Sequence, residues 1–263
     1  MYGVVDSRFG LQPSTYNLSG GDLVTPTINM TLGLVNQTGG TNNVGVVMLV
    51  TNSSYIFTNG LLIANNIQVA GQSTFVHSGG SFGGPDNILL TNGGWVERTA
   101  GEQLGQLQLG SGTSSSLKMP SGSCVLRFSD SSSVPWAGDV LLTISNWSGS
   151  LNGGGAQQVF FGASASGLTA QQLSQVQFSN PAGLPSGTYS ARILSDGEVV
   201  PNQSIAASVA FSRQGNNLVL TWPAGWTLQS ATNVLGPYSD VTGATSPYTN
   251  NMTLLQLYFR LRQ

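Results

Sequence analysis

Apolar residues recur along most of the chain in short runs that alternate with polar residues. This period of two predicts β-strands that bury one face. Only residues 168–175 have a convincing helical pattern, with Thr169 as a suitable N-cap. One alternating run is expected to point inward as a unit, and it consists of Val44, Val46, Met48 and Val50.

A glycine-rich motif repeats through the first third of the chain at a nearly constant step. Each copy begins with an aromatic residue or Val and ends in Gly; the clear copies are residues 16–21, 35–40, 55–60 and 75–80, with a degenerate copy at 89–94. Because Gly tolerates the left-handed backbone of a sharp corner, the repeat predicts a β-solenoid with about 20 residues per coil. The predicted corners are Gly21, Gly40, Gly60 and Gly80, and the predicted interior stack is Tyr16, Val35, Tyr55 and Phe75.

An antiparallel β-sandwich with Gly-Gly and Asn-Gly hairpins is the alternative fold. Hairpin loops rarely keep so even a spacing, so the solenoid is favoured. Further strands are expected at residues 104–109, 116–119, 124–128 and 139–147. The predicted fold class is therefore all-β, a parallel β-solenoid (β-helix) followed by a β-sandwich-like module.

The composition changes near residue 149, where a glycine-rich loop begins. A helix and a hairpin across Asp196-Gly197 follow, and such a block could cap the end of a solenoid. The predicted divisions are a solenoid over 1–148, a cap with a linker (201–215) over 149–212, and a small β module over 213–263. The strands expected in that module are 217–222, 226–229, 238–241 and 254–261.

The charge content is low, with 8 basic and 10 acidic residues in 263 and a net charge of −2. A chain with Lys118 as its single lysine cannot neutralise a phosphate backbone, so nucleic acid is excluded as a partner. No apolar run approaches the roughly 18 residues of a membrane span, and no membrane partner is expected. Ser, Thr, Asn, Gln and Gly dominate the remainder, which suggests a neutral, secreted or cell-surface protein.

One cysteine and one histidine restrict the possible chemistry. An intrachain disulfide is impossible, and no cluster of soft metal ligands can form. A Cys124–His77 dyad would require contact between the two side chains. We expect instead a small buried thiol and a lone histidine within the solenoid.

Carboxylate pairs are what a polysaccharide-cleaving β-helix would need. The candidates are Glu97 with Glu102 and Asp130 with Asp139, but Ser- and Gly-rich loops surround them. They are expected to be solvated loop carboxylates, so no catalytic, cofactor-binding or metal-binding residues are predicted. Residues 79–86, which end in Asp86, have a faint likeness to calcium-binding Gly-Asp repeats but occur once, and they are expected to form a corner.

Two surfaces are candidates for binding. Trp95, Trp136 and Trp147 could stack on the sugar rings of a polysaccharide, although filling the solenoid interior is the simpler role. The apolar C-terminal segment could add as a strand to another copy and give a head-to-tail homopolymer. Its members are Leu254, Leu255, Leu257, Tyr258, Phe259 and Leu261.

Several sequence segments resemble those of a known family, and they occur in the same order along the chain. Residues 16–21 and 37–41 are similar to the autotransporter-associated β-strand repeats of large secreted proteins in Gram-negative bacteria. The segments similar to the closing part and the small C-terminal β module of these passengers are 146–149, 160–162, 167–169, 177–183, 197–201, 228–231, 236–238 and 258–262. The resemblance implies a right-handed β-helix, extracellular placement and surface or adhesive roles, and it implies no catalytic residues.

Three functions remain open at this point. The first is a non-enzymatic extracellular structural protein, a self-assembling filament subunit or surface scaffold. The second is a carbohydrate-binding adhesin on the same fold. The third, less favoured, is a polysaccharide-degrading β-helix enzyme.

Overall fold

The computed structural model describes residues 5–6, 14–202, 209–222, 226–252 and 256–262. The chain forms two compact units, Met1–Gln203 and Ser204–Gln263. The first unit contains strands β1 (Val5–Asp6), β2 (Thr15–Leu18), β3 (Asp22–Thr31), β4 (Leu34–Thr51), β5 (Ser54–Ala70), β6 (Thr74–His77), β7 (Ser81–Phe82), β8 (Asn87–Thr91), β9 (Gly94–Glu97), β10 (Gln103–Leu104), β11 (Leu107–Leu109), β12 (Ser115–Lys118), β13 (Cys124–Phe128), β14 (Leu142–Ser145), β15 (Gln157–Phe161), β16 (Val176–Ser179), β17 (Thr188–Ile193) and β18 (Val199–Pro201), with helix α1 (Ala170–Ser174).

The first unit is a parallel β-solenoid of about six turns, as the repeat predicts. Successive coils pair in parallel, so β2, β4, β5, β6, β9, β12, β14 and β16 follow one another along a single sheet. The long strands β4 and β5 bend around corners and contribute to more than one face of the coil. Strands β10, β13 and β15 form a separate parallel sheet in the later coils.

One column of paired residues runs through the interior from coil to coil, and it confirms the predicted stack. Phe75 stacks on Tyr55 with ring centroids 4.9 Å apart and on Trp95 with centroids 4.5 Å apart. The whole column is Tyr16, Val35, Tyr55, Phe75, Trp95, Leu117, Ile144 and Phe178. All members beyond Tyr16 are buried, so the column forms the spine of the hydrophobic core.

The predicted glycine corners are also confirmed. Gly21, Gly40, Gly60 and Gly80 all have positive φ, and the residues that follow them pair between adjacent coils. At Gly60 a side chain is excluded, because a Cβ would overlap the carbonyl oxygen of Gly40 on the adjacent coil.

We expect Gly60→Ala to lower the free energy of unfolding of the solenoid by about 2 to 3 kcal/mol, because φ is +99° and the neighbouring coil leaves no space. Gly20→Ala is the matched control, since no atom lies within 4 Å of the position of its Cβ. Urea unfolding followed by circular dichroism would measure both. Equal losses in the two variants would contradict this account of the corner.

Three strand predictions need correction. The inward residues around Gly45 are Val44, Val47 and Leu49, because a corner at this glycine shifts the phase of the alternation; Val46 and Met48 are half-buried and Val50 is exposed. Residues 104–109 form two strands rather than one, β10 and β11, which belong to different sheets. The long strand expected at 139–147 is reduced to β14.

The degenerate repeat copy at 89–94 is not equivalent to the others. Gly94 pairs with Thr74 at the start of its strand, so it does not occupy a glycine corner. A second corner, which the sequence analysis missed, has left-handed non-glycine residues at the same step of 20: Leu32, Asn52, Gln72 and Asn92.

Antiparallel strands close the C-terminal end of the solenoid. β17 pairs antiparallel with β16, and β18 pairs antiparallel with β17. Helix α1 precedes β16 and has a complete capping box between Thr169 and Gln172, which confirms the predicted helix and its N-cap.

The second unit contains two three-stranded antiparallel sheets. Its strands are β19 (Ala210–Gln214), β20 (Asn217–Thr221), β21 (Thr227–Ala231), β22 (Ser239–Asp240), β23 (Tyr248–Asn251) and β24 (Tyr258–Arg262). The sheet orders are β19-β20-β23 and β22-β21-β24, around a small core that includes Leu220, Trp222 and Leu228. Part of the expected linker, residues 210–214, is therefore strand β19.

Candidate functional site

A buried pair of polar side chains, His77 and Glu97, joins two adjacent coils. His77 ends β6 and Glu97 ends β9, and the two strands pair in register. The Nδ1 atom of His77 lies 2.9 Å from Oε1 of Glu97, and both side chains are fully buried. The expectation of a lone histidine and a solvated Glu97 is therefore wrong.

The Glu97 carboxylate accepts several further hydrogen bonds. Its donors include Nε1 of Trp95 at 3.2 Å and the backbone N–H and hydroxyl of Thr99 at 3.0 and 2.7 Å. Because an ionised carboxylate only accepts, the Nδ1 atom of His77 carries the proton that it shares with Glu97. Burial alone would raise the pKa of Glu97, but the hydrogen bonds and charge of His77 and the hydrogen bonds of Thr99 hold it below its ordinary value.

The other imidazole nitrogen of His77 faces an apolar environment. Its Nε2 atom is buried and has no hydrogen-bond partner among the described residues. The imidazole packs against the rings of Phe57, Phe82 and Trp95, with centroids 5.7, 4.9 and 6.4 Å away. Because this nitrogen is buried, a substrate has no open route to it. The His77–Glu97 pair stabilises the contact between two adjacent coils.

Cys124 is buried in β13, as expected. Burial, together with the negative charge of Glu97, raises the pKa of its thiol to about 12, which makes it a poor nucleophile. The partner of the His77 imidazole is Glu97, so the described geometry forms no Cys–His dyad.

The other candidate carboxylates are not among the described hydrogen-bond partners of His77 and Glu97, although the charge of Glu102 interacts with both. Glu102 is half-buried, and burial raises the pKa of its carboxyl. Asp130 is exposed and accepts hydrogen bonds from the backbone and hydroxyl of Ser132. Asp139 is also exposed, so Asp130 and Asp139 are loop carboxylates as expected.

Asp86 lies at a corner with φ of +47°, as predicted for residues 79–86. Its buried carboxylate accepts hydrogen bonds from the backbone N–H groups of Gly84 and Ala64. Burial outweighs these bonds and raises the pKa of Asp86 to about 6, and the nearby charge of Glu102 adds to the increase.

The raised pKa of Asp86 predicts a specific pH dependence. Between about pH 4 and pH 6 the folded state binds a proton that the unfolded state has released, so the contribution of Asp86 to stability falls as pH rises. Asp86→Asn, which keeps a neutral amide oxygen, should remove this fall. Urea unfolding across this range would measure it, with Asp139→Asn as the exposed control; an unchanged pH profile in Asp86→Asn would contradict the assignment.

The three tryptophans differ in what they offer a ligand. Trp95 is only 1% exposed and lies in the interior column, so it has no free face for a sugar. Trp136 is almost buried at the edge of a shallow pocket of about 280 Å³, and its indole N–H donates to the carbonyl of Leu107. Trp147 is also 1% exposed, but it lines a second pocket and its Nε1 atom has no partner among the described residues.

The predicted self-association segment lies partly in the second unit's sheet. Tyr258, Phe259 and Leu261 belong to β24, which pairs antiparallel with β21 within the chain. Leu254 and Leu255 lie outside the described residues, and Leu257 precedes the strand. β24 is an edge strand, because among the described strands it pairs only with β21.

An outer groove crosses four successive coils near the places where β9, β12, β14 and β16 end. It consists of two adjoining pockets of about 450 and 220 Å³ that share Pro120, Ser121 and Asn146. The first pocket also contains Arg98 and Lys118, and the second also contains Trp147, Ser148, Gln157, Asn180 and Ala182.

Comparison with known proteins gives no relative: no family model, no curated protein and no solved structure matches the chain. In the described part of the chain, no group of three or more His, Cys, Asp and Glu side chains could hold a metal ion. No helix among those residues is long and apolar enough to cross a membrane.

Proposed function

We propose that the protein is a non-enzymatic, extracellular structural β-solenoid that acts as a surface scaffold or filament subunit. The observation that carries the proposal is the uninterrupted interior column from Tyr16 to Phe178. Each coil supports the next through this column, as expected of a quasi-one-dimensional scaffold. The resemblance to the repeats of secreted autotransporter proteins supports the same role.

The use of the polar interior groups also supports a structural role. The buried pair of His77 and Glu97 joins neighbouring coils rather than facing a cleft. Gln37 and Asn42 similarly enclose the hydroxyl of Tyr55 on the adjacent coil. These bonds fix the register between coils, which a rigid scaffold requires.

Self-assembly would have to use particular strand edges. The antiparallel strands β17 and β18 protect one end of the solenoid, so direct stacking of coils is disfavoured there. β24 is an edge strand in which Tyr258, Phe259 and Leu261 alternate with two arginines, and its free backbone groups can accept a strand from another copy. We propose that this edge pairs with a strand edge of the next copy.

Sedimentation velocity and negative-stain microscopy of the full chain at high concentration would test the proposal. We expect filaments that persist at about 1 M salt, because backbone pairing and apolar burial are insensitive to charge screening. Tyr258→Lys on β24 should reduce assembly, whereas Thr221→Lys at an exposed position of the central strand β20 should not. A single monomeric species in the native protein would refute assembly, and release of reducing ends from polysaccharides would refute the non-enzymatic role.

A further inference from the structure

We propose that the outer groove binds an acidic polysaccharide, with a sugar carboxylate held by Arg98 and Lys118. The neutral far end of the groove would bind sugar hydroxyls. This inference goes beyond the structural role and does not depend on self-assembly.

The positive end of the groove is unusual in this chain. Only 8 of 263 residues are basic, yet Arg98 and Lys118 line the same pocket. Both side chains are exposed, and neither has an acidic partner among the described residues. Two unpaired cations facing one pocket are suited to an anion such as a carboxylate.

Glu97 also lines this pocket but does not neutralise it. Its side chain is fully buried, and its oxygens accept hydrogen bonds from His77, Trp95 and Thr99. The Glu97 carboxylate is therefore bound by buried donors and does not face the pocket. The two exposed charges of the pocket, those of Arg98 and Lys118, are both positive.

The other end of the groove is neutral and polar. Ser148 and Asn180 are exposed there, and Gln157 is fixed by hydrogen bonds with the backbone of Ser148 and Gly122. Trp147 lines the same pocket, but its indole is almost fully buried, so it supports the wall of the pocket and offers no donor to a sugar. The exposed amide and hydroxyl groups suit the hydroxyls of a sugar ring.

The length of the groove favours a chain of sugars over a single small anion. Its lining residues lie mainly at or just after the ends of the paired strands β9, β12, β14 and β16, and three strand spacings amount to about 14 Å. Nucleic acid would need many more phosphate contacts than two cations supply. A short stretch of a uronate-containing polysaccharide fits both the charge at one end and the neutral donors at the other.

Isothermal titration of the full chain with oligogalacturonate at low salt would test the proposal. We expect binding that weakens as salt is raised and falls at least about tenfold in Arg98→Gln/Lys118→Gln. Ser148→Ala, which removes one exposed hydroxyl from the neutral end of the groove, should weaken binding by a smaller factor. Circular dichroism would show that each variant remains folded.

The matched control is Arg213→Gln/Arg262→Gln, which removes the same charge from exposed positions of the second unit. It should bind like the native protein, and neutral galactose oligomers should not bind. Equal losses in both double variants, or no binding to oligogalacturonate, would overturn the proposal. Inorganic phosphate that competes as well as the oligosaccharide would reduce the groove to a simple anion site and would also overturn it.

Discussion

Replacing Glu97 with alanine is expected to lower the free energy of unfolding of the solenoid by about 3 to 5 kcal/mol, because several buried donors lose their acceptor at about 1 to 3 kcal/mol each. The substitution removes the acceptor of His77 and at the same time leaves Trp95 and Thr99 with unpaired donors. Each donor is then buried or partly buried without the water that would satisfy it in the unfolded chain. Urea unfolding followed by far-ultraviolet circular dichroism would give the loss.

Glu102→Ala is the appropriate control for this prediction. Glu102 lies five residues further on and is half-buried, and it makes no ion pair among the described residues. Its removal should cost less than about 1 kcal/mol, as for most surface carboxylates. The double variant His77→Leu/Glu97→Leu should recover part of the loss, because apolar side chains can replace a buried pair. A Glu97→Ala protein as stable as the native one would show that the His77–Glu97 pair does not stabilise the contact between the two coils.

The Glu97 variant should also change the stability of the protein in acid. The pKa of this carboxyl is lowered in the folded state, so its contribution is present above the unfolded value near 4.5 and is lost as pH falls through the folded one. The direction is opposite to that of Asp86, whose contribution falls as pH rises towards 6. Native stability on the acid side therefore reflects two buried carboxylates with opposite slopes.

The sequence predicts the solenoid because the glycine motif repeats with a nearly constant step. Residues 20 apart on β5, β6 and β9 are neighbours on adjacent coils, and this spacing places His77 beside Glu97 and Phe75 beside Trp95. The spacing therefore already indicates that His77 and Glu97 are neighbours. The degenerate copy obscures this, because it places Gly94 at the position of Gly80, whereas the true equivalent of Phe75 is Trp95.

Other features were not accessible from the pattern alone. The corner at Gly45 reverses the phase of the alternation, so the inward residues on its two sides do not share one parity. The second corner uses Leu, Asn and Gln in left-handed conformation, and only Asn is commonly associated with that geometry. Beyond Trp95 the column continues at Leu117, Ile144 and Phe178, where longer intervening loops remove the constant period.

The outer groove illustrates a similar limit. The sequence shows Arg98, Lys118, Asn146 and Asn180 as widely separated polar residues. Only the register of β9, β12, β14 and β16 brings them to one face of four successive coils. Trp95 fills the interior column, the simpler of its two candidate roles, whereas Trp147 lines the groove from a buried position.

Truncation of Phe75 should lower the free energy of unfolding as much as loss of the His77–Glu97 pair, because the Phe75 ring is stacked on both sides. Phe75→Ala removes contacts with Tyr55 at 4.9 Å and Trp95 at 4.5 Å and leaves a cavity in the spine of the solenoid. The expected loss is about 3 to 5 kcal/mol, whereas Phe75→Leu should cost less because it fills most of the volume. Phe211→Ala is the control, since Phe211 is exposed in the second unit.

The column also predicts which pairs of substitutions should have coupled effects on the free energy of unfolding. In a quasi-one-dimensional fold each coil interacts mainly with its neighbours, so Tyr55→Leu and Phe75→Leu should couple by about 0.5 to 1.5 kcal/mol in a double-mutant cycle. Phe75→Leu and Phe178→Leu, which lie four steps apart in the column, should be additive within about 0.5 kcal/mol. Strong coupling between the distant pair would mean that the solenoid responds as one rigid core, whereas no coupling between the stacked pair would mean that the column does not transmit support from coil to coil.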